Sequence, residues 1–181
     1  MARIEIHETT GDEADAACRW TLHLPKLEAS VVDALPDKLE QLLGNPDENR
    51  GVIDRLFPPS YSDPDEDREN RRLLGSSLLS ERREMLKAVR KSMRAGRRRA
   101  RVAGEASRGV ALRLDVDSLD LWLRFVNDMR LMLATELGVD ENLGSKEIEP
   151  GDPDAPRFTL LIYLGGLESL LVEAAIGDPG F

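Results

Sequence analysis

The chain of 181 residues is poor in the residues that hold small disulfide-bonded or metal-bound folds together. It contains one cysteine, Cys18, and two histidines. A single thiol excludes an intramolecular disulfide and a zinc site built from cysteines. We expect Cys18 to be a small, half-buried residue before a strand, and a redox-active thiol is the alternative. Aromatic residues make up only 4% of the chain, so Leu, Val, Ala and Met must build the core.

Long apolar runs are also scarce. The longest, Phe158 to Ile176, is interrupted by Tyr163, Glu168 and Glu173 and falls short of the roughly 20 apolar residues that span a bilayer. The first residues have no apolar stretch behind a basic end, so the sequence predicts no secretory signal. We therefore expect a cytoplasmic protein with no membrane partner.

Catalytic signatures are lacking as well. The chain has no nucleophile elbow, no glycine loop for phosphate, no His-Glu-x-x-His and no CxxC pair. A metal site at His7, His23 and Glu5 would need all three on one face of a hairpin, and exposed polar strand positions are the better interpretation. We predict no catalytic residue and no cofactor. An enzyme of unrecognised type is kept as an alternative.

The length and composition fit one mainly α domain over residues 1–181, since 41% of the residues are hydrophobic and 33% are charged. Apolar residues alternate with polar ones at Ile4 and Ile6 and again at Trp20, Leu22 and Leu24, which predicts a small β-hairpin within residues 1–24.

A bundle of about four main helices is predicted behind the hairpin. Residues 25–95 form its first half, with a helix at about 26–43, a short one at 51–56 and a long one that begins at Asp63 and Pro64. Residues 115–176 hold two core helices. The first of these carries one apolar stripe, made of Leu119, Trp122, Val126, Met129, Leu133 and Leu137.

The net charge of −9 hides a basic segment, residues 87–108, with nine basic residues and one acidic residue. Its glycines, Gly96 and Gly104, bracket a stretch that we interpret as a linker or a frayed helix end. We assign residues 96–114 as a basic linker, within which 109–114 is a short extended segment. The run could bind an acidic protein face or phosphates, or it could be solvated and paired with the chain's own acids. No aromatic residues are interleaved, so sequence-specific nucleic-acid recognition is not supported. The candidate binding residues are Arg94, Arg97, Arg98, Arg99 and Arg101.

Polar residues also lie beside the apolar stripe of the central helix. Asn127 and Arg130, together with Glu168 of the last helix, are candidates for a polar floor of a ligand or partner pocket. The structural alternative, which we favour, is a pair between Arg130 and Glu168 that fixes how the two helices meet.

Two segments have distinctive sequences, Arg55 to Tyr61 (RLFPPSY) and Leu121 to Leu131 (LWLRFVNDMRL). With Leu39 to Asn45 (LEQLLGN), they resemble the actinobacterial AosR-type oxidative-stress regulators, long catalogued as a domain of unknown function. The resemblance covers most of residues 20–175, and neither segment is a catalytic signature.

The resemblance implies a non-enzymatic regulator that senses oxidation and associates with a sigma factor. Redox sensing in that family relies on a closely spaced cysteine pair, whereas this chain has only Cys18. We therefore predict a regulatory or adaptor protein that binds a protein partner in stress-responsive transcription. The alternative is a nucleic-acid-binding protein that uses residues 87–108.

Overall fold

The computed structural model describes residues 1–6, 18–104, 108–139 and 151–177. His7, the connection of the predicted hairpin and residues 140–150 lie outside these ranges. Within them the chain is mainly α, as predicted, with five helices and one small sheet. In chain order the elements are β1 (Arg3–Ile6), β2 (Trp20–Pro25), α1 (Lys26–Gly44), α2 (Arg50–Leu56), α3 (Pro64–Val102), β3 (Gly109–Leu114), α4 (Val116–Glu136) and α5 (Ala155–Gly177).

The sheet is antiparallel and has the order β1-β2-β3. Its first two strands pair as the predicted hairpin requires, with Ile4 opposite Leu22. The third strand pairs Leu112 with Leu22, so the hairpin is part of a three-stranded sheet. One face of the sheet is buried, because Leu22 and Leu112 are inaccessible to solvent.

Helix α3 begins where the sequence predicted. The Asp63 side chain accepts the backbone N–H groups of Asp65 and Glu66 at 2.8 and 3.2 Å, and Pro64 opens the helix. The predicted basic linker is wrong at 96–102, which are the last turns of α3, in line with the alternative of a helix end. The short extended segment predicted at 109–114 is confirmed as β3.

The reason for the difference is a close approach between α3 and β3. A Cβ at Gly96 would lie 2.5 Å from Val110 Cγ1 and 2.7 Å from Leu112 Cδ2. The glycine is required for packing between a helix and a strand, so it does not end the helix.

The centre of the core is formed by α4, and its apolar stripe is buried as predicted. Trp122 is fully buried, and its ring meets Phe125 edge to face at 5.7 Å between centroids. Helix α5 packs along α4 and buries leucines that include Leu161 and Leu164.

By length and composition alone, α5 would also be able to cross a membrane, and it is the one such helix in the described residues. A core helix of a soluble protein meets the same criteria, and a third of the most apolar stretch of α5 is buried inside this fold.

Candidate functional site

An apolar pocket lies where the connector between α2 and α3 meets the first half of α3. We call it the motif pocket. Its volume is about 410 Å³, within the range of about 300–1,000 Å³ typical of ligand sites. Four of its lining residues are polar, namely Ser60, Asp67, Asn70 and Arg82. The others are Pro46, Ile53, Leu56, Phe57, Pro58, Gly75, Leu78 and Leu79.

The connector that forms one wall is held by the first turn of α3. Two consecutive prolines, Pro58 and Pro59, restrict its backbone. The backbone N–H of Ser60 then donates to Asp67 Oδ1 at 2.8 Å. Asp67 is 8% exposed, and its position near the start of α3 favours a negative charge there. The wall is therefore preformed by backbone restriction and by a buried acceptor.

The inner end of the pocket carries a buried ion pair between α3 and α4. Arg82 Nε lies 2.7 Å from Asp128 Oδ2, and the Asp128 side chain is 3% exposed. The same guanidinium stacks over the Phe57 ring, 5.4 Å from its centroid. Arg82 thus contacts both segments that carry the family resemblance, since Phe57 belongs to RLFPPSY and Asp128 to LWLRFVNDMRL.

Burial raises the pKa of the Asp128 carboxyl to about 6, and the nearby Arg82 charge opposes that rise. Above this pH the pair is ionised, and its two charges attract one another at 2.7 Å. The remaining lining is mostly apolar, so the pocket is suited to an apolar side chain.

The surroundings of the motif pocket are acidic. Residues 46–70 contain eight acidic and three basic residues. A second pocket of about 630 Å³ shares Pro46, Ile53 and Asp67 with the motif pocket, and the charged residues that it adds are Asp47, Asp54, Arg50 and Arg68. Together the two pockets form a groove along α2 and the start of α3.

The polar floor predicted from Asn127, Arg130 and Glu168 is wrong in part. Arg130 and Glu168 do form the predicted ion pair between α4 and α5, with both side chains half-buried. Asn127 is exposed, whereas its neighbour Asp128 is buried. Successive helical residues face directions about 100° apart, so adjacent polar residues do not share a site.

Sequence reasoning missed Asp128 and Arg82. The available signal was the spacing of Phe125, Asp128 and Met132, steps of three and four that place a carboxylate in a second buried row of α4. A charge in such a row requires a partner, and the partner is Arg82.

The candidate arginines near the end of α3 fall into two groups. Arg97 pairs with Asp33 of α1 at 2.8 Å, in line with the alternative that the run is neutralised by the chain's own acids. Arg94, Arg98, Arg99 and Arg101 are exposed, and none of the four forms an ion pair within the described ranges. The structure therefore leaves part of the basic run facing solvent.

Cys18 is half-buried and lies two residues before β2, as predicted. A redox role for it stays a prediction. On β1 and β2, Glu5 pairs with His23 at 3.0 Å. Among the described residues, no group of three or more His, Cys, Asp or Glu side chains could hold a metal ion.

Comparison with known families gives one match. The model of a family described as "Domain of unknown function (DUF2017)" matches residues 6–175. No curated protein and no solved structure matches the chain.

Proposed function

The chain belongs to the DUF2017 family. We propose that it is a non-enzymatic adaptor whose motif pocket binds a protein partner. The observation that carries the proposal is one open, apolar pocket with RLFPPSY in its wall. The lining residue Arg82 pairs with Asp128 of LWLRFVNDMRL, so the second segment supports the pocket from behind. A mostly apolar pocket of this kind suits a partner's side chain.

The chemistry of the partner follows from the lining and the rim. Leu78 is 36% exposed at the pocket mouth, and Phe57 and Leu79 are half-buried within the lining. An apolar anchor from a helical segment fits such a groove. Because residues 46–70 are acidic, we expect Lys or Arg beside that anchor, since opposite charges speed and orient association.

The resemblance to AosR-type regulators supports a sigma factor as this partner, with a cytoplasmic role in stress-responsive transcription. Cys18 does not line the motif pocket. Partner binding under reducing conditions should therefore be unchanged in Cys18→Ser, even if oxidation of the thiol regulates it.

The test is a binding titration against a panel of purified sigma factors. Leu78→Asp places a charge at the pocket mouth and should weaken binding by about tenfold or more, because the charge must be desolvated. Leu73→Asp is the matched control, a leucine on the same helix that is 60% exposed and outside the pocket lining. Equal losses in the two variants, or no binding by the unchanged chain, would overturn the proposal.

Nucleic-acid binding is the second candidate, favoured by the exposure of Arg94, Arg98, Arg99 and Arg101. Phosphate contacts release counterions, so such binding would fall steeply as salt rises. Binding at the motif pocket should change much less. A titration at two salt concentrations, with nuclease-treated protein, separates the two candidates.

A further inference from the structure

A second cavity lies between the sheet and the carboxyl end of α3, the opposite end of that helix from the motif pocket. We call it the basic cleft. Its volume is about 570 Å³, and four arginines line it: Arg3, Arg99, Arg108 and Arg113. Among the described lining residues these four arginines outnumber the one carboxylate, Glu5, and a local excess of positive charge attracts anions.

The register of the sheet explains the floor of the cleft. Arg3 lies opposite His23, and Glu5 and Arg113 lie on either side of Thr21. Directly opposed residues of antiparallel strands share a face, so these polar side chains lie together on the side turned away from the core. Glu5 is the carboxylate among them, and it pairs with both Arg3 and His23. It therefore holds the Arg3 and His23 side chains at one edge of the cleft.

Two glycines bring the end of α3 to this floor. Gly96 allows α3 to lie against β3, which carries Arg99 to the cleft edge. Gly109 has a φ of 128°, and any Cβ there would overlap the Leu24 carbonyl oxygen. Only glycine can therefore begin β3 at this distance from β2.

We propose that the basic cleft binds a small oligophosphate through its phosphate groups. Guanidinium groups present paired donors that match phosphate oxygens, and the volume of the cleft is that of a small-molecule site. None of the described residues lining the cleft is Phe, Tyr or Trp, so it has no platform on which bases of a single strand would stack. The ligand is recognised by its charge and not by its base.

The arginines must supply the whole attraction. The carboxyl end of a helix carries a partial negative charge, which repels an anion. Replacing cleft arginines should therefore remove binding, with no contribution from the helix backbone to compensate.

The experiment is calorimetric titration of the full chain with inorganic tripolyphosphate at low salt. The double variant Arg3→Ala/Arg99→Ala should bind at least about tenfold more weakly, since hydrogen bonds between charged groups are lost. Arg94→Ala/Arg98→Ala removes the same charge outside the cleft and should bind within about twofold of the unchanged chain. Circular dichroism checks that both variants fold. Absence of binding by the unchanged chain, or equal losses in the two variants, overturns the proposal.

Two further ligands identify the source of the phosphates. Equal affinity for ATP and tripolyphosphate supports recognition of the phosphates alone, and tighter binding of ATP supports a nucleotide ligand. A single-stranded RNA is the third arm. If RNA binds, tripolyphosphate does not, and both double variants weaken RNA equally, the surface is a diffuse polynucleotide site and the cleft proposal is wrong.

Discussion

The two ends of α3 present opposite chemistry on one element. Its 39 residues span about 58 Å at 1.5 Å per residue. The amino end adjoins an acid-rimmed apolar pocket, and the carboxyl end adjoins a basic cleft. Both charge placements agree with the helix macrodipole, which favours acids in the first turn and bases in the last.

The comparison shows that the net charge of −9 describes neither surface. The ends also differ in how they hold their ion pairs. Arg82 and Asp128 are packed between α3 and α4, with 25% and 3% of their side chains exposed. Arg97 and Asp33 bridge α3 and α1 at the surface, with 46% and 35% exposed. Breaking the buried pair should therefore lower the free energy of unfolding considerably. Breaking the exposed pair should change it little.

The largest expected effect is that of Arg82→Met at pH 7.5. Losing one member of a buried pair leaves the other charge without a partner, which lowers the free energy of unfolding by about 3–5 kcal/mol. Arg97→Met, the control at the other end, should cost less than about 1 kcal/mol, because exposed pairs contribute little. Urea denaturation of both variants measures the difference. Similar losses at the two ends would contradict the contrast in burial.

The next largest effect is a pH dependence of the free energy of unfolding that the Asp128 carboxyl causes. Its pKa is raised to about 6 in the folded state, above the value of about 3.9 in an unfolded chain. The folded carboxyl therefore binds its proton more tightly, and this stabilisation is lost as pH rises from about 4 through 6.

Relative to Asp128→Asn, the unchanged chain should lose roughly 2–3 kcal/mol of unfolding free energy between pH 4 and pH 7. Denaturation at several pH values gives the difference between the two proteins. A difference that stays constant over this range would show that Asp128 is not held in a low-dielectric site.

The smallest expected effect is the change in stability when a glycine of α3 is replaced by alanine, and its sign differs between two positions. At Gly75, near the motif pocket, a Cβ would meet no atom within 4 Å, so Gly75→Ala should stabilise by about 0.5–1 kcal/mol. At Gly96 the added carbon would crowd Val110 and Leu112. Crowding of about 1–3 kcal/mol should exceed the gain in helix propensity. A stabilising Gly96→Ala in thermal unfolding would disprove the tight contact with β3.

Much of the fold follows from local signals in the sequence. Asp63 and Pro64 predicted the start of α3, because a side-chain cap and a first-turn proline act within four residues. The stripe around Trp122 predicted the core face of α4. The continuation of α3 past Gly96 could not be predicted, since the reason for that glycine lies on β3, fourteen residues later at Val110.

The site was harder to predict than the fold. The steps of four between Leu27, Val31 and Leu35 predict one buried face of α1. In the structure Leu27 and Val31 are exposed, and Ala29 and Val32 are buried. A small shift in the packed face of an amphipathic helix is not encoded in spacing alone. The pairing of Arg82 with Asp128 also depends on how α3 crosses α4, which only the folded chain defines.

The separation of the two surfaces is tested most directly by titrating the same preparations with a sigma factor that binds the unchanged chain and with tripolyphosphate. Leu78→Asp should lose the sigma factor and bind tripolyphosphate as the unchanged chain does. Arg3→Ala/Arg99→Ala should show the reverse. If either variant loses both ligands while remaining folded, the two ends of α3 do not act as independent binding surfaces.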